Sequence, residues 1–556
     1  MFILVRSFFR EHKVFTLGLF FLFILLLKNP LSPNNIISNL GPLPDSIHYL
    51  NPLISLSQGK GFVISYKDRS VSANVPFLYT LILYPAYAFF GDIRFFYITN
   101  VLLTVASTIL FYKIIVRLFF KKMIKAILFF AFVTNYVIYW YPSVAMAEGL
   151  LIPLYLLSIW LFLQPLNIAR VILISSLVVA FFATKYIAGI LSVTLILIFI
   201  IKIISSKIPR KRKYFLSALF FSILFTLFSI FLYIEYVNKN INILNNVGYH
   251  LQQLAAVFLS LFNQTGFKAA VRVADLPSET YSRYYQFDNY VRYLAGIMGG
   301  PLTVAGKNFY ILPIIVGMIS LFAIFTNLFI RKNRLLSFYF FISIVGTFIF
   351  VGNFFIVDGR YLFVFIPAFL LIFGLFLDAL CNFLISMNRK IYATLLLGFI
   401  LLAILLNVSS SVMNQININF FQPERAIIYD VVETMNLTAN MFNTALKPVI
   451  ISVVPPHMID FYSNHRYELL PLSRNQYFMA YSEEVWDISP KINLIDVYKE
   501  YLATNRAVLV SVYGTDKLWI NLDMQKIKEE FDLSLVTQGC NDLCNLYKLK
   551  LKPGSQ

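Results

Sequence analysis

The sequence predicts an α-helical polytopic membrane protein of about eleven transmembrane helices, followed by a C-terminal extracytoplasmic α/β domain. Three observations predict it. The 556 residues are 59% hydrophobic and only 13% charged, about half the charge of an ordinary soluble domain. Apolar runs of about 17–25 residues, each able to cross a hydrocarbon core about 30 Å thick, recur from Val14 to Ser410. Beyond them the pattern changes to short β-rich runs and amphipathic helices.

The expected spans are 14–28, 94–118, 124–141, 149–164, 169–184, 186–204, 214–236, 308–330, 336–356, 361–381 and 391–410. The first is a retained anchor rather than a cleaved signal, because Lys28-Asn29-Pro30 follows it where a small-residue cleavage site would stand. Positive charge then alternates from junction to junction. Arg6, Arg10 and Lys13 precede the first span; Lys121, Lys122 and Lys125, then Lys207 and Arg210 to Lys213, then Arg331, Lys332 and Arg334, then Arg389 and Lys390 mark every second junction. The net charge of +19 therefore follows topology rather than a nucleic-acid partner, and it predicts a cytoplasmic N-terminus. An odd number of spans puts residues 411–556 outside, with the long segments 29–93 and 237–307 on the same side of a 1–410 membrane domain. A composition rich in Asn, Ile, Lys and Phe fits a bacterial inner membrane.

Within 29–93, Tyr49–Leu56 and Phe77–Phe90 read as amphipathic helices at the interface, with Gly59-Lys60-Gly61 as a turn. In the tail, 424–435 and 494–502 read as helices and 449–454 and 507–512 as strands of a small α/β domain. The tail shows no Gly-rich phosphate loop, no Ser/His/Asp set and no clustered metal ligands, and His457 and His465 read as surface residues, so it is expected to bind or to cover. Of the three cysteines, Cys540 and Cys544 stand between two strand-like runs, where a disulfide would staple a hairpin in an oxidising compartment. Free thiols are the alternative, and a metal site would need two further ligands. Cys381 reads as core packing.

The unusual polar residues fall at outward ends of spans: Asp45 after the first, Glu148 between the third and fourth, Lys185 between the fifth and sixth, Arg360 between the ninth and tenth. Each has an ordinary explanation. Lys185 could snorkel, Arg360 could pair with Asp358, and Glu148 and Asp45 could serve helix ends. Together they suit one chemistry. Lys and Arg hold a phosphate, Arg through paired donors and Lys as a point charge. A carboxylate takes the proton of a hydroxyl nucleophile during displacement at a nearby carbon. That set suits transfer of a group from a lipid phosphate. A transporter would bind nearer the midplane and show internal repeats, which this chain lacks. An envelope glycan polymerase would share the donor chemistry and differ in its acceptor, and a scaffold would tolerate loss of Asp45.

The run Asp45-Ser46-x-x-Tyr49-Leu50, then Gly59-Lys60-Gly61-Phe62, Pro76-x-x-Tyr79 and Phe90-Gly91-Asp92, resembles the first outer loop of the polytopic C-type glycosyltransferases. The resemblance is nearest to the branch holding the lipid A aminoarabinose transferase and the protein O-mannosyltransferases. Ala147-Glu148, Thr184-Lys185, Gly359-Arg360-Tyr361-Leu362, Pro367, Pro455-Pro456, Phe461-Tyr462 and Arg466-Tyr467 follow in the same order. The resemblance implies a GT-C-like inverting transferase that moves a sugar from a polyprenyl-phosphate donor to a lipid, protein or glycan acceptor. It implies Asp45 as the base or as a ligand of a divalent metal ion, Glu148 as a second acid, and Lys185, Arg360 and Tyr361 on the donor phosphate. Two departures stand out: Ser46 follows Asp45 where many relatives carry an acid, and Val75 precedes Pro76 where many carry a second proline.

Overall fold

The computed structural model describes residues 13–27, 46–66, 69–73, 75–239, 302–304, 307–309, 319–320, 322–324, 334–351, 360–416, 427–439, 441–442, 446–454, 456–473, 493–515, 518–540 and 542–553. The chain forms two compact units. One comprises residues 1–29, 74–270 and 281–423; the other comprises 30–73, 271–280 and 424–556. Residues 46–73 therefore belong with the tail, which differs from a division at residue 410. The reason is burial: Ile47 is part of the tail's own core.

The first unit is a helical bundle of an integral membrane protein. Among the described residues, Ile93–Leu118, Tyr186–Ser205, Arg210–Val237 and Ile366–Ser386 are long and apolar enough to cross a membrane. Six further apolar helices have 10–17 residues: Lys13–Leu25, Leu78–Phe90, Glu148–Phe162, Ile168–Thr184, Arg334–Thr347 and Lys390–Leu406. The count of about eleven is thus not reached by full-length helices alone, and most of the span expected at 308–330 lies outside the described residues. The span expected at 124–141 is broken into Lys122–Val133 and Tyr136–Ser143, bent by 46°. Asn135 causes the break: its backbone is extended and its side chain accepts the Val137 N–H at 3.0 Å, restarting the helix with a new cap.

Several polar side chains in this unit find partners on other helices, as an apolar surrounding favours. Tyr155 Oη meets Ser343 Oγ at 3.0 Å and Ser158 Oγ meets Tyr339 Oη at 2.6 Å, joining helices Glu148–Phe162 and Arg334–Val351. Lys121 Nζ donates to Asp378 Oδ1 and Asn382 Oδ1, each at 2.6 Å. Lys202 donates to the carbonyls of Phe162 and Gln164, filling acceptors left at the end of helix Glu148–Phe162.

The second unit is built on a five-stranded sheet in the order Glu468–Pro471, Val449–Ser452, Val508–Ser511, Leu546–Leu551, Phe531–Thr537. The first three strands run parallel and the last two pair antiparallel. Alternate residues feed two cores. Ile450, Leu469, Leu509 and Leu546 pack with Val431, Met435 and Met458 from helices Ile427–Ala439 and Pro456–Ser463. Val449, Ile451, Leu470, Val508 and Val510 pack with Tyr498, Ile520, Met524 and Ile527 from helices Leu494–Ala503 and Leu518–Glu530. Cover on both faces is why these strands read as continuous apolar runs. Cys540 and Cys544 are joined by a disulfide, Cα–Cα 5.2 Å, across the turn between the antiparallel strands.

Helix Ile47–Ser57 and the hairpin Val63–Tyr66/Arg69–Ser72 belong to this second unit. The helix forms where expected, but it is buried along most of its length, and Ile47, at its start, packs in the tail core. Gly59 and Gly61, with φ of +72° and +82°, make the turn that follows it. Asn51 clamps the hairpin, donating to Ser65 O at 2.8 Å and accepting from Ser65 N at 2.9 Å. His465 Nδ1 donates to Asp460 Oδ2 at 2.7 Å and its Nε2 meets Ser65 Oγ at 3.3 Å, while the rings of His48 and His457 lie 4.7 Å apart. These two tail histidines, read from the sequence as surface residues, are half-buried ties between residues 46–73 and helix Pro456–Ser463. Their partners lie some 400 positions away in the chain, 400 for the Ser65–His465 pair, so local sequence could not show them.

Candidate active site

Glu148 opens helix Glu148–Phe162 and is buried, with 1% of its side chain exposed. A carboxylate at that position complements the unfilled N–H groups of the first helical turn. Lys185 stands where helix Ile168–Thr184 stops. Its backbone is extended, φ −159° and ψ 127°, and the chain then makes a 3-10 turn at Tyr186–Ala188 before helix Gly189–Ser205. This corner directs Lys185 Nζ at Glu148 Oε1, and the two side chains form an ion pair, the lysine 16% exposed. Burying either charge alone would be costly, so each accounts for the other.

The pair lines a pocket together with Thr347, Val364 and Phe365. Val364 and Phe365 directly follow the short helix Arg360–Phe363, which packs on helix Glu148–Phe162. The backbone thereby brings Arg360 and Tyr361 to the same end of the bundle as Glu148 and Lys185. Ring contacts hold this arrangement: Tyr141 with Phe363 at 5.6 Å and Tyr155 with Phe365 at 5.5 Å, both edge-on. Asp45, and with it any metal site built on Asp45, lies outside the described residues. Among the described residues no group of three His, Cys, Asp or Glu is placed to hold a metal ion.

The motifs between residues 76 and 92 have local physical roles. Tyr79, from Pro76-x-x-Tyr79, is buried and donates to Asn100 Oδ1 at 2.9 Å; Asn100 Nδ2 donates to the carbonyls of Pro142 at 3.2 Å and Val144 at 3.3 Å. The network braces the stretch that leads into Glu148. In Phe90-Gly91-Asp92, Gly91 ends helix Leu78–Phe90 in the left-handed conformation, φ +70°. Asp92 then accepts from the Arg94 backbone at 2.8 Å and from its guanidinium. Burial pushes the Asp92 carboxyl up, but these Arg94 hydrogen bonds outweigh it and leave the group below the usual carboxylate range. Ser46, the departure next to Asp45, is fully buried, a position that would penalise a second carboxylate.

Sequence reasoning passed over Asn100, Tyr186 and Glu235. Asn100 is a lone amide inside an apolar run. Glu235 is an acid near the end of the 214–236 run, buried and bonded to the Tyr186 hydroxyl at 3.1 Å. An acid in such a run is itself the signal that could have found it.

No protein-family model and no curated protein matches the sequence. Solved structures do match the fold. ArnT from Cupriavidus metallidurans bound to undecaprenyl phosphate superposes with a TM-score of 0.59 at 11% identity, covering 97% of this chain and 98% of that one. The apo state of the same ArnT gives 0.57 at 11% identity, with 98% of each chain covered. The apo oligosaccharyltransferase of Archaeoglobus fulgidus gives 0.54 at 10% identity, covering 98% of this chain and 75% of that one. The chain therefore has the fold of these membrane transferases along nearly its whole length.

Proposed function

We propose that this protein is an inverting glycosyltransferase that moves a sugar from a polyprenyl-phosphate donor to an envelope acceptor on the extracytoplasmic face of a bacterial inner membrane, its N-terminus in the cytoplasm. The observation that carries the reading is the buried Glu148–Lys185 ion pair, lining a pocket beside the helix that begins with Arg360. The fold likeness to a transferase bound to undecaprenyl phosphate supports it.

In this reading Lys185 and Arg360, with Tyr361 beside it, hold the donor phosphate. The acceptor hydroxyl oxygen attacks the sugar's anomeric carbon on the face opposite the phosphate. A new C–O bond forms, the bond to the phosphate oxygen breaks, and polyprenyl phosphate leaves as an anion that the two cations stabilise. Asp45 takes the acceptor's proton, and Glu148, held against Lys185, is the second acid. If Asp45 instead holds a divalent metal, chelation abolishes turnover and added metal restores it; as a base, Asp45 leaves turnover indifferent to chelator.

The test is release of free polyprenyl phosphate, read by mass spectrometry, from a panel of polyprenyl-phosphate sugars incubated with purified protein and host membrane extract. Wild type releases it and Asp45→Asn does not, and the active donor names the sugar. Equal release by both removes Asp45 from the chemistry. In parallel, Lys185→Ala and Arg360→Ala each weaken undecaprenyl phosphate binding by about 1.5–3 kcal/mol, the range for a hydrogen bond to a charged group. Unchanged binding in both removes the phosphate assignment.

A further inference from the structure

Glu235 is a buried acid of the membrane unit that the reaction above does not use. It sits in helix Arg210–Lys239 with 0% of its surface exposed, and no other Asp or Glu stands between Glu148 and Glu235 in the sequence. An ionisable group inside a membrane helix is costly, and its partner shows what it serves. The Tyr186 hydroxyl donates to Glu235 Oε2 at 3.1 Å. Tyr186 is the residue after Lys185 and the first of the 3-10 turn, so the bond grips the chain at the corner that carries the lysine.

The surrounding packing makes that grip specific. Helix Arg210–Lys239 lies along helix Ile168–Thr184. Phe182 packs against Tyr186 at 5.7 Å and against Phe231 at 5.5 Å, and Phe231 is one helical turn before Glu235. The same apolar cluster takes in Phe77 and Leu78 at the start of helix Leu78–Phe90. A tyrosine hydroxyl in such a cluster needs an acceptor, and the Glu235 side chain supplies the oxygen. Were helix Ile168–Thr184 to continue through residue 185, the lysine would project about 100° around the helix axis from Thr184, a direction set by the helix and not by the corner. The extended backbone at Lys185 prevents that, and the Tyr186–Glu235 bond holds the residue that follows.

We infer that Glu235 is a positioning residue: through Tyr186 it fixes the corner that aims Lys185 at the donor phosphate. The inference rests on the proposed phosphate role of Lys185. Glu235 touches no reacting atom in this scheme, and its carboxylate acts as a hydrogen-bond acceptor.

The experiment measures undecaprenyl phosphate affinity of the full-length protein in detergent, beside hydrogen exchange of the backbone across residues 182–190. Glu235→Ala and Tyr186→Phe each weaken affinity about tenfold, and the double variant is no worse than either, since both remove one bond. Glu235→Gln retains an acceptor oxygen and stays within about threefold of wild type. Exchange at residues 185–189 speeds up in Glu235→Ala and Tyr186→Phe and stays slow in Glu235→Gln. Multiplying effects in the double variant, or a Glu235→Gln variant as weak as Glu235→Ala, overturns the inference, because the charge itself would then be at work. If Lys185→Ala leaves affinity unchanged, the donor-phosphate reading fails instead. The exchange result then judges the corner alone: faster exchange upholds the positioning role, and unchanged exchange overturns it.

Discussion

The two units bury polar groups by opposite means. In the tail, backbone groups pair within a five-stranded sheet whose two faces are covered by apolar side chains, and a buried acid such as Asp460 is tied close by in the chain, to His465. In the membrane unit, helices close their own backbone bonds, and what remains polar is a few side chains that meet one another across helices: Glu148 with Lys185, Tyr186 with Glu235, Tyr155 with Ser343. The difference teaches where chemistry can reside. A carboxylate that must stay inside an apolar bundle has to be held by a specific partner, and a held carboxylate beside a cation is the arrangement that the proposed reaction uses.

The sharpest way to break this contrast is Lys185→Met. It removes the ammonium from a buried carboxylate and costs about 3–5 kcal/mol of stability, the range for breaking one side of a buried pair. The double variant Glu148→Gln with Lys185→Met recovers most of that loss while both remain inactive. Thermal melts in detergent beside the release assay check it, and a single variant as stable as wild type would show that the pair is not what holds the carboxylate.

The tail answers to a different perturbation. Cys540→Ser with Cys544→Ser opens a short loop whose closure is worth about 2 kcal/mol in the chain-entropy account. The expected outcome is a tail that unfolds at lower denaturant with undecaprenyl phosphate binding unchanged. A fall in binding would mean that the two units are coupled through the hairpin.

The smallest effect is expected at the rim. Asp92 has a lowered pKa when folded, so its contribution to stability is complete above the ordinary carboxylate range and is lost as pH falls through its folded value. Asp92 and Arg94 are each about one-quarter exposed, 27% for both side chains, so the effect is that of a partly screened pair. Comparing wild type with Asp92→Asn in melts between about pH 6 and pH 3 should show the two converging at the acid end. A gap that persists there assigns Asp92 a role as a neutral cap instead.

Much of this was legible in the amino-acid order alone. Long apolar runs can only be helices, because backbone groups surrounded by lipid must be bonded within the segment, and the basic junctions between them carry a topological signal. Short β-rich stretches such as Val449–Ser452 announced strands, and the spacing of Cys540 and Cys544 suited a hairpin staple. Glu148 and Lys185 stood out because charge is rare in such a chain. Other features needed the tertiary structure. Asn135 looks like any polar residue in a span until its cap is seen to bend the helix by 46°. Ile47 carries no signal of its own in the sequence and proves to be core of a unit formed mostly by residues hundreds of positions later. Glu235 acquires meaning only from the Tyr186 hydroxyl that meets it. Periodicity and charge are local properties that the chain carries in its order, whereas a partner for a buried polar group is chosen by which helices and strands come to lie side by side, and only the folded protein decides that.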